Sequence, residues 1–545
     1  MKRIFLICLT AVLFMGNTPF LTEFEMAYSG DSTGSDSFRI PALLTLRHPD
    51  GSLTKTVIAV QDVRFTGFVD SPANIDTGIR ISRDGGMTFD DHRLLNPFTF
   101  EDLPHGRGLL YSSASFIDCS LFQNWSTGRV FVTVNMFPWG GGIMGGNVNE
   151  GTPFTEINGE QVMLLSATDD FDRGARPDSR DPRSKSANAS DVNHLGTYYV
   201  KGVAEFPEYE TDKNGSILYD GNGYALLKKP CQRKIFNEAD EYTGYFLNER
   251  FEVCYDNGTD RGVILQVRQI GSSRSVPMNI AYKRSVFQMY RTSYNYLIYS
   301  DDQGKTWSDP INLTGMTERP ARYVTYQIAS PGTGLYVDRG PYRGRVMFTY
   351  YTNCSPDGKV KAEIPCAVWS DDNGKTWVRG NVPSDLGDTG KMSESVLTVM
   401  PDGKIRIFSR TSSGHVGTSL SADGGRTWFP AQKIDPIFNS GGSGCQMTAF
   451  NYPVKVKGND VLILASPQSQ SGRENGTVWV GLIKDSSGDK IDWNGTQIHS
   501  GDFAYSSAAP VAVYSADGLP AVALYSERES GRMHYAVFPF EKLKY

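Results

Sequence analysis

The chain has 545 residues, 39% of them hydrophobic and 21% charged, which is long enough to bury a large core without relying on disulfides or a metal. Its 29 Phe and 27 Tyr exclude a disordered chain. A net charge of −6 excludes a nucleic-acid binder held by bulk charge, so any basic function must be local.

Met1-Lys2-Arg3 precedes an apolar run from Ile4 to Met15. Positive charge followed by a short apolar core is the pattern of an export signal, and the run is too short to span a bilayer as a helix. Residues 1–27 are therefore assigned to a signal peptide, with cleavage between Gly16 and Ala27, and 28–545 to the mature protein. The alternative is a buried N-terminal strand or helix. Export predicts a secreted, periplasmic or cell-surface protein. The rest of the chain has no other long apolar segment, so no transmembrane segment is expected after cleavage. Six cysteines follow Cys8; Cys354/Cys366 and Cys231/Cys254 are the nearest pairs, with free buried thiols as the equal alternative. There is no C-x-x-C or H-E-x-x-H, and no metal or other cofactor is predicted.

Short, turn-bounded runs rich in Val, Ile, Phe and Tyr recur along the chain. They include 56–64 (TVIAVQDVR), 128–137 (GRVFVTVNMF), 345–353 (RVMFTYYTN), 404–410 (KIRIFSR), 461–466 (VLILAS) and 520–527 (PAVALYSE). These read as strands, and almost no segment carries a long helical period. The fold class is all-β.

The phrase S-x-D-x-G-x-T-[WF] occurs four times, as SRDGGMTF, SDDQGKTW, SDDNGKTW and SADGGRTW, beginning at Ser82, Ser300, Ser370 and Ser421. Asp can accept from nearby backbone N–H groups and Gly can take φ > 0, so each copy is a hairpin corner, with Thr and Trp entering the next strand. A four-stranded propeller blade takes about 40–50 residues. The last three copies are spaced for blades. The gap between Ser82 and Ser300 is too long, and predicts a β-rich insertion over 140–285. That stretch holds GGGIMGG (140–146), the polar run 172–191 and a Tyr-rich segment at 197–206.

FRIP at 38–41, followed by these repeated phrases, resembles the bacterial-type exo-sialidases (neuraminidases) over nearly the whole chain after residue 27. The resemblance implies a six-bladed β-propeller that cleaves terminal sialic acid from sialylated glycoproteins, glycolipids or oligosaccharides. Sialic acid carries a carboxylate on its anomeric carbon, and Arg suits it, because its planar fork pairs two N–H groups with two oxygens and stays charged.

The resemblance places an arginine triad at Arg39, Arg410 and Arg473. It implies Asp70 in DSPAN as the acid/base, with Asp76 the rival carboxylate expected to be structural. Arg64 and Asp118 match positions that contact the sugar's ring hydroxyls. Tyr505 in FAYSSAAP matches a tyrosine nucleophile, and Glu394 in MSESVL its carboxylate partner, on a strand joined to that of Arg410 by the turn at 400–404. A neutral phenol avoids the repulsion that a carboxylate nucleophile would meet beside the substrate carboxylate. The insertion, with Trp139, is expected to shape the leaving-group side or to form a docking surface. Two other readings share these motifs: a trans-sialidase, including the intramolecular kind that yields an anhydro sugar, and a non-catalytic glycan-binding propeller.

Overall fold

A computed structural model describes residues 20–545 except 36, 66, 72, 96–113, 140, 143–152, 168–194, 204–205, 269–274, 283, 318–326, 354–362 and 530. All six runs read as strands are strands. The inner pair of each blade is largely buried because both faces are covered; Val130–Phe137 and Pro520–Glu527 are buried at every position.

Six antiparallel blades form a propeller. Blade I is Ser37–Arg47, Leu53–Arg64, Ile75–Ser82 and Arg93–Leu94. Blade II is Ser115–Gln123, Val130–Phe137, Tyr294–Ser300 and Ile311–Asn312. Blade III sets Gln327–Ala329 and Leu335–Tyr336 against Val346–Asn353, followed by Glu363–Ser370 and Val378–Arg379. Blade IV is Met392–Val399, Ile405–Thr411, His415–Ser421 and Gln432–Phe438, and blade V is Thr448–Asn451, Val461–Pro467, Gly476–Ile483 and Ile491–Gln497. Blade VI takes Ser506–Tyr514, Pro520–Glu527 and Met533–Phe538 from the C-terminal end, and Thr22–Ala27 from the N-terminal end as its outer strand.

That last strand closes the ring and covers the edge of Met533–Phe538. It lies within 1–27, the range assigned to the export signal. A cleavage that leaves blade VI whole therefore falls before Thr22, and residues 1–19, which carry the signal pattern, lie outside the described residues.

The extra length between Ser82 and Ser300 enters between the second and third strands of blade II. An eight-stranded antiparallel sheet runs from Phe154–Ile157 to Phe287–Met289, and a small hairpin pairs Gln266–Arg268 with Ser275–Pro277. The chain then rejoins blade II in register, Val134 opposite Tyr296. Met163, Leu165 and Phe287 of the inserted sheet pack into one core with Val134 and Met136 of blade II and Ile58 and Ile79 of blade I. Trp139 is buried at this joint, its backbone N–H donating to the Ala281 carbonyl and the Arg291 guanidinium lying 4.9 Å from its ring. Most of 140–146 and all of 172–191 lie outside the described residues. Cys254 is a free buried thiol facing the Glu252 carbonyl, so it makes no disulfide with Cys231. Cys354 lies outside the described residues.

All four repeated phrases are corners between the third and fourth strands of blades I–IV. In the second copy Asp302 accepts from the N–H groups of Lys305 (3.0 Å) and Thr306 (2.9 Å) and from the hydroxyls of Ser300 and Thr306 (both 2.7 Å). Burial opposes the charge on Asp302, but these hydrogen bonds outweigh it and hold the carboxyl below its usual range. Asp84, Asp372 and Asp423 are closed by Thr88, Thr376 and Thr427 in the same way. The Gly takes φ near +86° in the first three copies and +95° in the fourth. Thr and Trp do not enter the next strand: Thr turns back onto Asp, and Trp307 and Trp377 donate from the ring N–H to the Gly carbonyl of their own corner. Asp302→Ala should lower stability at pH 7 by about 2–3 kcal/mol, read as a fall in the urea midpoint with unchanged slope. Because the folded carboxyl is depressed, that deficit should shrink as pH falls through its folded value.

Candidate active site

In each meander the inner strand begins, and the second strand ends, at the same end of the ring. The repeated corners follow the third strands, so they occupy the opposite end. Arg39 and Asp118 sit near the starts of inner strands, Glu394 near the start of another, and Tyr505 directly before a fourth. Arg64 and Arg410 sit at the ends of second strands, and Arg473 lies between the second and third strands of blade V. The topology alone therefore gathers all of these at one end.

Local backbone irregularity then aims them. The ladder slips between Arg39 and Ala42, between Ile117 and Ser120, and between Met392 and Ser395, which are matching places in blades I, II and IV. Ile40 sits at φ +62° and Asp118 at +59°. A β-branched residue rarely takes that conformation, and bulges of this kind re-aim the neighbouring side chains. Ile40 is held there by Glu527, whose Oε1 accepts its N–H at 2.8 Å.

Three guanidinium groups converge on Tyr505. Those of Arg39 and Arg473 each lie 5.2 Å from its ring centre, and Arg410 Nη1 donates to the phenol oxygen at 2.9 Å. The phenol donates to Glu394 Oε1 at 2.5 Å, and Arg410 Nη1 also donates to Glu394 Oε2 at 2.8 Å. Arg39 Nε lies 3.3 Å from Glu527 Oε1, and Arg473 Nη2 reaches the Gly444 carbonyl at 3.4 Å. Burial disfavours the Arg410 cation, but Glu394 and Tyr505 outweigh it and hold it charged; Glu527 does the same for Arg39. Burial, then Glu394, push the Tyr505 phenol well above the usual tyrosine range, with the three arginines opposing.

The second group centres on Arg64, which is fully buried. Its Nη1 donates to Asp70 Oδ1 at 2.7 Å and to the Phe68 carbonyl at 2.8 Å, and its Nη2 donates to Asp62 Oδ2 at 2.9 Å. Asp70 also lies 3.4 Å from Arg39 Nη1, and more than a third of its side chain faces solvent. Asp118 accepts from the Tyr351 hydroxyl at 2.8 Å, and its own N–H donates to Asp62 Oδ1 at 3.2 Å. Burial, with Asp62 and Glu394 adding, pushes the Asp118 carboxyl well up; burial also raises the Asp62 carboxyl, while Arg64 and Arg39 favour its charged form. Asp76 is buried in the third strand opposite Val63, where burial raises it to about 7. A cavity of about 370 Å³ opens beside the cluster, lined by Arg39, Arg473, Phe68, Asp502, Phe503 and Glu527 among others.

The structure thus brings Arg39, Arg410 and Arg473 together with Glu394 and Tyr505, and joins Arg64 to Asp70 and, through Asp62, to the backbone of Asp118. Sequence reading missed Asp62, Glu527 and Tyr351. Asp62 had a signal, since it stands two positions before Arg64 on one strand and so shares its face. Glu527 and Tyr351 had none, because each acts on a residue of another blade.

A BNR repeat-like domain matches residues 278–508. The chain is 30% identical to the anhydrosialidase of Macrobdella decora over 85% of its own length and 54% of that protein. It is 26% identical to sialidase B of Streptococcus pneumoniae over 87% of its own length and 60% of that protein. It therefore spans only part of these curated relatives. Among solved structures, the intramolecular trans-sialidase of Ruminococcus gnavus superposes with a TM-score of 0.73 at 25% identity, covering 97% of this chain and all of that one. The chain is a repeat-bearing propeller with sialidase homologues. Glu527→Ala strands the Ile40 N–H and leaves Arg39 with its longer contact to Asp70. It should cost about 3 kcal/mol or more, measured by denaturant unfolding beside the exposed Glu529→Ala; equal losses would count against the role given to Glu527.

Proposed function

We propose that this protein is a sialidase that releases terminal sialic acid from sialylated glycans by a retaining mechanism with a tyrosine nucleophile. The observation that carries this reading is the 2.5 Å hydrogen bond from Tyr505 to Glu394 among the three arginines. Converging guanidinium groups suit a carboxylate fixed to the reacting carbon, and they place that carbon near the phenol oxygen. Glu394 takes the phenol proton as the oxygen attacks, which removes the main obstacle posed by a high phenol pKa. Asp70 faces solvent, where a leaving group departs, and donates its proton to the glycosidic oxygen. The tyrosyl–sugar bond is then broken by a second nucleophile entering on the face the aglycone left. Arg64 and Asp118 contact ring hydroxyls in this reading. The protein acts after export, on glycoconjugates outside the cytoplasm.

Two second nucleophiles fit this sequence. Water activated by Asp70 gives free sialic acid; a hydroxyl of the sugar itself gives an anhydro sugar. The names of the Macrobdella and Ruminococcus relatives favour the internal route. NMR of the product from 3′-sialyllactose separates them.

Tyr505→Phe should lose nearly all turnover, at least about 10³-fold, with an unchanged melting profile; wild-type rates would end the nucleophile assignment. Arg410→Ala should weaken binding of a sialic acid analogue, measured by calorimetry, far more than Arg532→Ala on the exposed rim. Equal affinities would count against the triad.

A further inference from the structure

Asp62 is a buried carboxylate with no place in the reaction described above, yet it touches two members of the site. Its Oδ2 accepts from Arg64 Nη2 at 2.9 Å, and its Oδ1 accepts from the backbone N–H of Asp118 at 3.2 Å. The same guanidinium gives its other nitrogen, Nη1, to Asp70 at 2.7 Å. One fully buried cation is therefore shared between two carboxylates, one sealed at 1% exposure and one facing solvent. Among the described residues, the titratable groups facing this pair are Arg39, which reaches Asp70 at 3.4 Å, the Asp118 carboxyl, itself faced by Glu394, and the buried Cys119 thiol.

A general acid beside an undivided positive charge would lose its proton too readily to deliver it to a glycosidic oxygen. We infer that Asp62 is a positioning residue that balances the charge of Arg64, so that Arg64 orients Asp70 without stripping its proton, and that it ties this pair to the strained backbone at Asp118. The assignment rests on the reading of Asp70 as the acid. Asp62 touches neither substrate nor reacting atoms in this scheme; it acts through Arg64. Its second bond gives it a structural share as well, because the Asp118 N–H lies at a ladder slip and at φ +59°.

The test compares the pH profile of kcat on 3′-sialyllactose, whose leaving sugar needs a proton, with that on a 4-nitrophenyl sialoside, whose leaving phenolate does not. Turnover that needs a protonated acid is lost as pH rises through the acid's pKa. Removing a neighbouring negative charge moves that alkaline limb down, and removing a positive one moves it up. Asp62→Asn should shift the limb for sialyllactose down by about one pH unit, a loss of about tenfold on the limb, and should leave the aryl substrate nearly untouched. Asp62→Glu, which keeps the charge, should restore the limb. Arg64→Met should move it upward, and this arm stands if Asp62→Asn fails to fold. A limb that stays in place in both variants, or equal losses on both substrates, would overturn the role of Asp62. Asp70→Asn separates the underlying reading: it should abolish the limb and spare the aryl substrate relative to sialyllactose. Wild-type turnover of sialyllactose in that variant would remove Asp70 as the acid, whatever Asp62 does.

Discussion

Everything at the site depends on holding three guanidinium groups around one phenol. Like charges packed this closely repel, and burial removes the water that would screen them. The fold answers with anions placed behind the cations. Glu394 binds Arg410 and Tyr505 at once, and Glu527 lies against Arg39. Among the described residues, Arg473 has a single hydrogen-bond acceptor, the Gly444 carbonyl. That imbalance leaves the Arg473 charge the least neutralised of the three, which would favour an anionic ligand.

The propeller separates stability from chemistry along its axis. At one end, four hydrogen-bonded corners lock the third strands to the fourth through Asp and Gly, each with two successive residues at positive φ, Gln303 and Asn373 among them. At the other end, inner strands slip register, and non-glycine residues are forced to positive φ at Ile40 and Asp118. Such strain persists only where the surroundings determine it. Here those surroundings are buried carboxylates reached from a different strand or blade, Glu527 for Ile40 and Asp62 for Asp118. The rigid corners and the ring closure by Thr22–Ala27 supply the frame against which this strain is held.

The repeat was legible because its chemistry is local. Asp and Gly in one octapeptide build the corner by themselves, so four similar phrases meant four similar places. The misreading of Thr and Trp is local too: a Thr hydroxyl turning back on Asp competes with the strand, and wins. The insertion was visible as excess length. Its eight-stranded sheet, and its fusion with the core of blades I and II, were not, because that packing joins Phe287 to Met163 and Val134 across long chain separations. The site residues carried by resemblance came together because their motifs stand at strand ends. Tyr505 was one tyrosine among 27 until its neighbour Glu394 was placed beside it.

Strand periodicity, turn chemistry and the recurrence of one phrase determined the all-β class and the presence of repeated blades, since each depends only on residues near one another in the chain. Which end of the ring carries function, which carboxylate stands behind which arginine, and how the first strand completes the last blade were decided in three dimensions. The reason is that these are pairings of buried charge and exposed strand edge. Their energy depends on distance through space and on exclusion of water, and neither quantity is written in the order of residues.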